Sequence, residues 1–281
     1  GLILNTLLIH VIRRFSKSSV GTYKTLLEIF AAFDIFLSIL HKVAKPGAII
    51  VGTTFGCVTD TPLESRMITS FYCACFTIPF ALMNIHFLYR FWCIRKPQLI
   101  TRFSDYKFVA IIAMFPIGEF VVWYLLVYYG LTGATDEKAT ILLSTEYEKK
   151  YGRLLRDGWI VMNYWGDGFN LRIFIAMLAF DVIMSISFSI AIILGSLTFY
   201  HIKKAHKISA AAHNLQWKLF IAVCAQTFVP TLFVYIPYFF IINFPFFGIP
   251  LYYVDDAWMR LTACFPAWDA VIIILLISDY R

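Results

Sequence analysis

The sequence predicts an all-α membrane protein, a bundle of seven transmembrane helices, and three observations predict it. Hydrophobic residues fill 60% of the 281 positions and charged residues only 15%, giving a mean hydropathy of +0.74. A soluble domain is about 45–50% apolar and about 25% charged, so lipid must cover the excess. The apolar residues fall into seven runs, and Lys and Arg concentrate in every second loop between them. The formal charge of +7 therefore sits where topology and anionic headgroups account for it, and no nucleic-acid partner is expected.

A bilayer core takes about 20 mostly apolar residues per helix. The first run, residues 1–12, is shorter and reads as the inner part of a truncated first helix. Residues 13–24 form a basic loop without an acid. Span two covers residues 25–41 and stops before Lys45-Pro46-Gly47, which cannot continue a helix. Span three covers residues 67–92, ahead of Arg95-Lys96-Pro97, and span four covers 108–129. Residues 130–170 mix both charge signs with Tyr147, Tyr151, Trp159 and Trp165, the pattern of a folded lid that includes a short helix. Span five (171–200) is long and continues into Lys203-Lys204. Span six (217–242) contains Pro230 and Pro237, and span seven covers 257–277. Prolines inside membrane helices mark kinks, because neighbouring groups re-satisfy the freed carbonyls.

Orientation follows from the basic residues. The loops after spans one, three and five, with the span ends beside them, hold thirteen Lys and Arg, whereas the short loops after spans two and six with theirs hold four: Lys42, Lys45, Arg66 and Arg260. The positive-inside rule places the first set in the cytoplasm, hence the amino terminus outside and the carboxyl terminus inside.

Tyr89-Arg90-Phe91 stands where span three meets the cytoplasm. An Arg there either snorkels to the interface or sits in the bundle as a switch against span six. Four stretches together carry a resemblance. Gly21-Thr22-Tyr23-Lys24 leads into span two, which contains Asp34 and ends near Lys45-Pro46. Tyr89-Arg90-Phe91 and Arg95-Lys96-Pro97 close span three. Gln226-Thr227, Pro230, Tyr235 and Pro237 lie in span six, and Pro266 and Asp269 lead on to Asp279-Tyr280-Arg281. As a set they resemble the nematode seven-transmembrane chemoreceptors, the G-protein-coupled serpentine receptors of the Str superfamily, class Str or Srj.

The resemblance implies a plasma-membrane receptor on sensory neurons, in the cilium. It would detect a small, odorant-like environmental molecule, activate a heterotrimeric G protein, need no cofactor, and be open to pairing as a dimer. It assigns the activation switch to Tyr89, Arg90, Phe91, Pro230, Asp269 and Tyr280. Three positions depart from the wider pattern. Tyr89 replaces the acid that usually precedes the Arg, Asp269 is followed by Ala270 rather than Pro, and residues 130–170 contain no Cys to reach span three. Cys57, in an outside loop, can instead pair with Cys73 or Cys75, a connectivity that spacing does not settle.

An ionisable residue at mid-bilayer costs about 2.5–3.5 kcal/mol on insertion scales, so each is a functional candidate. Asp34 and Asp269 are the leading pair, read either as a site for water or Na⁺ or as a water-mediated link between helices. His86 is expected beside Arg90, and Glu28 in a local pair with Lys24. Glu119 and Asp181 lie nearer mid-span, with a helix–helix hydrogen bond or a ligand contact as alternatives. The outer half of span six is strongly aromatic, and Tyr235 and Tyr238 with Phe76 are the expected lining of an apolar pocket.

Neither a phosphate-binding Gly-x-x-x-x-Gly-Lys-Ser/Thr nor a zinc-binding His-Glu-x-x-His occurs, and no enzyme or metal centre is expected. Span seven has no Lys for a retinal Schiff base. A ligand-gated channel or a transporter is the alternative. The lack of an internal repeat weighs against the transporter.

Overall fold

Each helix stops where the chain loses the means to continue it. The computed structural model describes residues 1–15, 23–44, 47–50, 57–60, 66–131, 160–162, 164–165, 168–204, 209–249 and 255–276, with a few isolated positions between 141 and 152. Helix α1 (Leu2–Phe15) ends on Arg13 and Arg14, and α2 (Tyr23–Ala44) ends on His41 and Lys42. Cations are favoured there by the negative end of the helix dipole. The buried face of α2 includes Tyr23, Leu27, Phe30, Asp34 and Leu37, the three-and-four spacing of one helical stripe. Glu28 lies 3.6 Å from the Arg13 guanidinium of α1 rather than pairing with Lys24, whose ammonium donates to the Arg13 carbonyl instead. The expected local pair is thus a link between helices.

Span three is broken, which the sequence reading does not anticipate. Helix α3 (Arg66–Cys75) turns at Phe76 and Thr77 into α4 (Ile78–Arg95). Pro79 has no N–H for the Cys75 carbonyl. Thr77 closes the turn by donating both its N–H and its hydroxyl to the Ala74 carbonyl, at 3.1 and 2.9 Å. This span is the axis of the bundle: 72% of its most apolar window is buried, against 6% for the window in Tyr106–Gly130. Span four therefore faces lipid.

A 3₁₀ segment, Pro97–Ser104, leads to α5 (Tyr106–Leu125), where the Asp105 carboxylate accepts the Lys107 N–H at 3.0 Å as an N-cap. The helix widens into a π turn, Leu126–Gly130, and meets α6 (Leu171–Lys204). A Cβ on Gly130 would stand 2.7 Å from the Ala176 Cβ, so only glycine permits this approach. Gly130→Leu is expected to destabilise the protein by about 1–3 kcal/mol. The check is the monodisperse fraction after detergent extraction, which should fall.

At 34 residues, α6 is about 51 Å long and carries Lys203 and Lys204 beyond a hydrocarbon core of about 30 Å. Helix α7 (Ala210–Pro230), a π turn at Thr231–Tyr235 and α8 (Ile236–Asn243) make span six, and α9 (Asp255–Leu276) makes span seven. Among the described residues, four stretches meet the length and hydropathy of a crossing by themselves: Arg66–Arg95, Tyr106–Gly130, Leu171–Lys204 and His213–Asn243. The other helices complete the expected seven-helix bundle.

To the helices the structure adds a small sheet. Strand β1 (Gly47–Ile50) pairs antiparallel with β2 (Cys57–Asp60), in register Gly47 with Asp60 and Ile50 with Cys57. Strand β3 (Ile160–Val161), from the long segment, pairs antiparallel with β2. Most of residues 132–159, including the short helix expected there, lies outside the described residues. Two apolar clusters fill the bundle. An outer one, under the sheet, is centred on Phe76, Trp123, Phe180 and Tyr235; an inner one, at the basic end, contains Leu8, Leu27, Phe87, Tyr89 and Val223.

Candidate functional site

Three features line up along the bundle axis: an outer aromatic cavity, a polar middle and a stacked arginine at the inner end. The cavity exists because the turn after α3 and the π turn of span six bring aromatic residues to one depth. Its lining is Cys73, Phe76, Thr77, Trp123, Met184, Val234, Tyr235 and Tyr238. The structure thus brings together the three residues picked from the sequence, Phe76, Tyr235 and Tyr238. It adds Thr77, Trp123 and Met184, which look like ordinary core residues until the helices are packed. The cavity volume is about 10 Å³, room for about one water.

From the long segment, Ile160, Met162 and Tyr164 are buried in the same apolar cluster as the cavity walls. Tyr164 donates its hydroxyl to the Ile242 carbonyl at 2.7 Å, and Trp165 donates its indole N–H to the Phe246 carbonyl at 3.0 Å. This part of the segment is therefore pinned to the outer end of span six. Cys73 and Cys75 are both buried in the outer cluster; the Cys57 side chain, to which one of them was expected to bridge, lies outside the described residues.

Around and below the cavity, polar groups join five spans. The Asn84 amide donates to the Ser187 hydroxyl at 2.7 Å, and Ser187 in turn hydrogen-bonds the Glu119 carboxylate, which lies within electrostatic reach of Tyr235. Asp181 accepts from the Asn243 amide at 3.0 Å, a link between α6 and α8. Pro237 denies an N–H to the Phe233 carbonyl, and the Thr262 hydroxyl of α9 donates to that carbonyl at 3.2 Å. Thr262→Val is expected to lower stability by about 1 kcal/mol, read as a reduced thermal midpoint in detergent.

Asp34 and Asp269 are both wholly buried and within electrostatic range of each other. Gln226 donates to Asp269 at 3.4 Å, and the buried Asn5 donates to the Pro266 carbonyl. Both oxygens of Asp34 and one of Asp269 have no hydrogen-bond partner among the described residues. Asn5 is missed by the sequence reading, although an Asn in a short apolar run is itself a signal.

At the inner end Arg90 is 2% exposed, with its Cζ 3.5 Å from the centre of the Tyr23 ring and 5.8 Å from that of Tyr89. His86 packs edge-on to Tyr23 at 5.5 Å, beside Arg90 as expected. Arg90 therefore neither snorkels nor shows a described contact with span six; its stacking partner comes from span two. Phe91 points the other way, 5.9 Å from His201 of α6. Pro230 ends α7 at the π turn, and Tyr280 lies outside the described residues.

The family model "Serpentine type 7TM GPCR chemoreceptor Str" matches residues 1–281. The chain is similar to Serpentine receptor class r-10 of Caenorhabditis briggsae, 28% identical over 99% of this chain and 84% of that receptor. The C. elegans receptor of the same name is 27% identical over the same shares. G-protein coupled receptor str-33 of C. elegans is 23% identical over 100% of this chain and 85% of that receptor.

Proposed function

We propose, for a chain that belongs to the serpentine type 7TM GPCR chemoreceptor family Str, that it binds a small environmental molecule in the outer cavity and activates a heterotrimeric G protein at its inner face. The reading carries with it a place in the plasma membrane of a sensory-neuron cilium, with the amino terminus outside.

One observation supports the coupling above the others. Val234 and Tyr235 line the cavity and belong to the π turn that begins directly after Pro230. A π turn is held by poorer hydrogen bonds than an α-helix and is common at functional sites. A molecule that pushes on Tyr235 acts on the hinge itself, with no intervening lever. Because the cavity admits about one water, a ligand must move span six outward to fit. That selects a wider state over the narrow one.

The remaining parts follow this movement. Gln226 is on α7 and holds Asp269 of α9, so the Asp34–Asp269 pair feels any rotation of α7 and is where a proton or a Na⁺ ion is exchanged. Tyr89, Arg90 and Phe91 carry the change to the basic inner surface. The test is agonist-dependent second-messenger production in cells expressing the receptor. An agonist-evoked current that persists when G proteins are removed overturns this reading in favour of a ligand-gated channel.

A further inference from the structure

Tyr164 and Met162 of the long segment are buried in the same apolar cluster as the cavity walls, 1% and 5% exposed, and the Tyr164 hydroxyl is tied to span six. Toward the lipid, however, a groove of about 360 Å³ runs between α6 and span six, lined by Asp181, Ser185, Phe188, Thr231, Ile236 and Phe239 among others. Its volume falls in the range of small-molecule sites, about 300–1,000 Å³, whereas the cavity's does not. Groove and cavity share two walls, Met184 and Tyr235. Those two side chains face both spaces.

The polar groups on the two sides of this partition differ in kind. In the groove Asp181, half-buried, is an acceptor; one oxygen takes the Asn243 amide and the carboxylate has further lone pairs. On the cavity side Trp123 is part of the wall, and its indole Nε1–H is a buried donor with no hydrogen-bond partner among the described residues. A ligand group that serves both must donate in the groove and accept in the cavity. A hydroxyl does both. A ketone cannot donate to Asp181, and an alkylammonium cannot accept from Trp123.

We propose that the groove between α6 and α8 is a membrane-side binding site, that its occupant is a small apolar alcohol, and that Met184 and Tyr235 form the gate through which the alcohol passes into the cavity. This rests on the ligand-binding reading above and adds a route and a chemical class to it. The carbon chain partitions into the bilayer first, and the hydroxyl finds Asp181 from the lipid side.

The test uses the full chain in lipid nanodiscs and 1-decanol carrying a photoreactive diazirine. Saturable labelling is expected on peptides of α6 and α8. Unlabelled 1-decanol should compete, with 2-decanone weaker by about tenfold, the effect of one lost hydrogen bond to a charged partner. Ile236 is 40% exposed at the groove, so Ile236→Trp fills the mouth without entering the core, and labelling should fall by about tenfold. Asp181→Leu should abolish the preference for the alcohol over decane; Asp181→Asn, which still accepts a hydrogen bond, should keep it. Labelling spread equally over the lipid face of α5, or unchanged by Ile236→Trp, overturns the proposal. No G protein is involved in the labelling. Absent labelling with intact agonist signalling overturns the lateral route alone, and specific labelling without signalling overturns the receptor reading alone.

Discussion

Arg90→Ala is expected to abolish agonist-evoked signalling while leaving the receptor at the cell surface. The guanidinium is 2% exposed, and its Nε and Nη2 have no hydrogen-bond partner among the described residues. A desolvated stack on an aromatic ring contributes about 2 kcal/mol, less than the several kcal/mol that burying an ion costs. Removing the side chain therefore relieves a cost at least as large as the contact it breaks, and folding is spared. What is lost is a cation poised behind Tyr23, 3.5 Å away, for use when the inner face opens. Second-messenger output and surface immunolabelling, measured on the same cells, separate the two effects. Signal loss that merely tracks surface loss would assign Arg90 a structural role instead. Tyr23→Leu, which removes the ring but not the charge, should raise agonist-independent output.

Tyr235→Ala carries the largest expected cost in stability, about 3–5 kcal/mol for truncating a packed aromatic residue. The ring touches Phe80, lies 5.5 Å from Phe188, and faces both the groove and the cavity. The thermal midpoint in detergent should fall well below that of the parent receptor. Tyr235→Phe keeps the ring and removes only the hydroxyl near Glu119, so stability should hold while agonist potency shifts. An equal fall in both variants would mean that the hydroxyl, rather than packing, holds the outer half together.

Much of this arrangement is legible in the sequence because the bilayer imposes simple rules. Apolar runs long enough to cross, basic loops on one side, and acids that cannot be idle inside lipid point to the bundle, to Asp34 with Asp269, and to Arg90. Phe76, Tyr235 and Tyr238 could be named because aromatic residues crowd the outer part of span six. The partners are harder to read. Glu28 pairs with Arg13 across helices although Lys24 is nearer in sequence. Thr262 looks like one more small residue, and its role appears only once α9 lies beside the carbonyl that Pro237 leaves open.

The alternation of apolar spans with basic loops determined by itself that the chain crosses a membrane seven times and which end is basic, since insertion depends on local hydropathy and charge. Tertiary structure decided the rest. It broke span three at Pro79, turned a stretch of outer loop into a third strand, closed the cavity to about 10 Å³, and stacked Arg90 on span two rather than span six. Each outcome depends on which carbonyl, ring or carboxylate lies opposite which neighbour. That is set by how helices pack, and lipid, as apolar as the side chains it covers, leaves little trace of packing in the pattern of hydrophobicity.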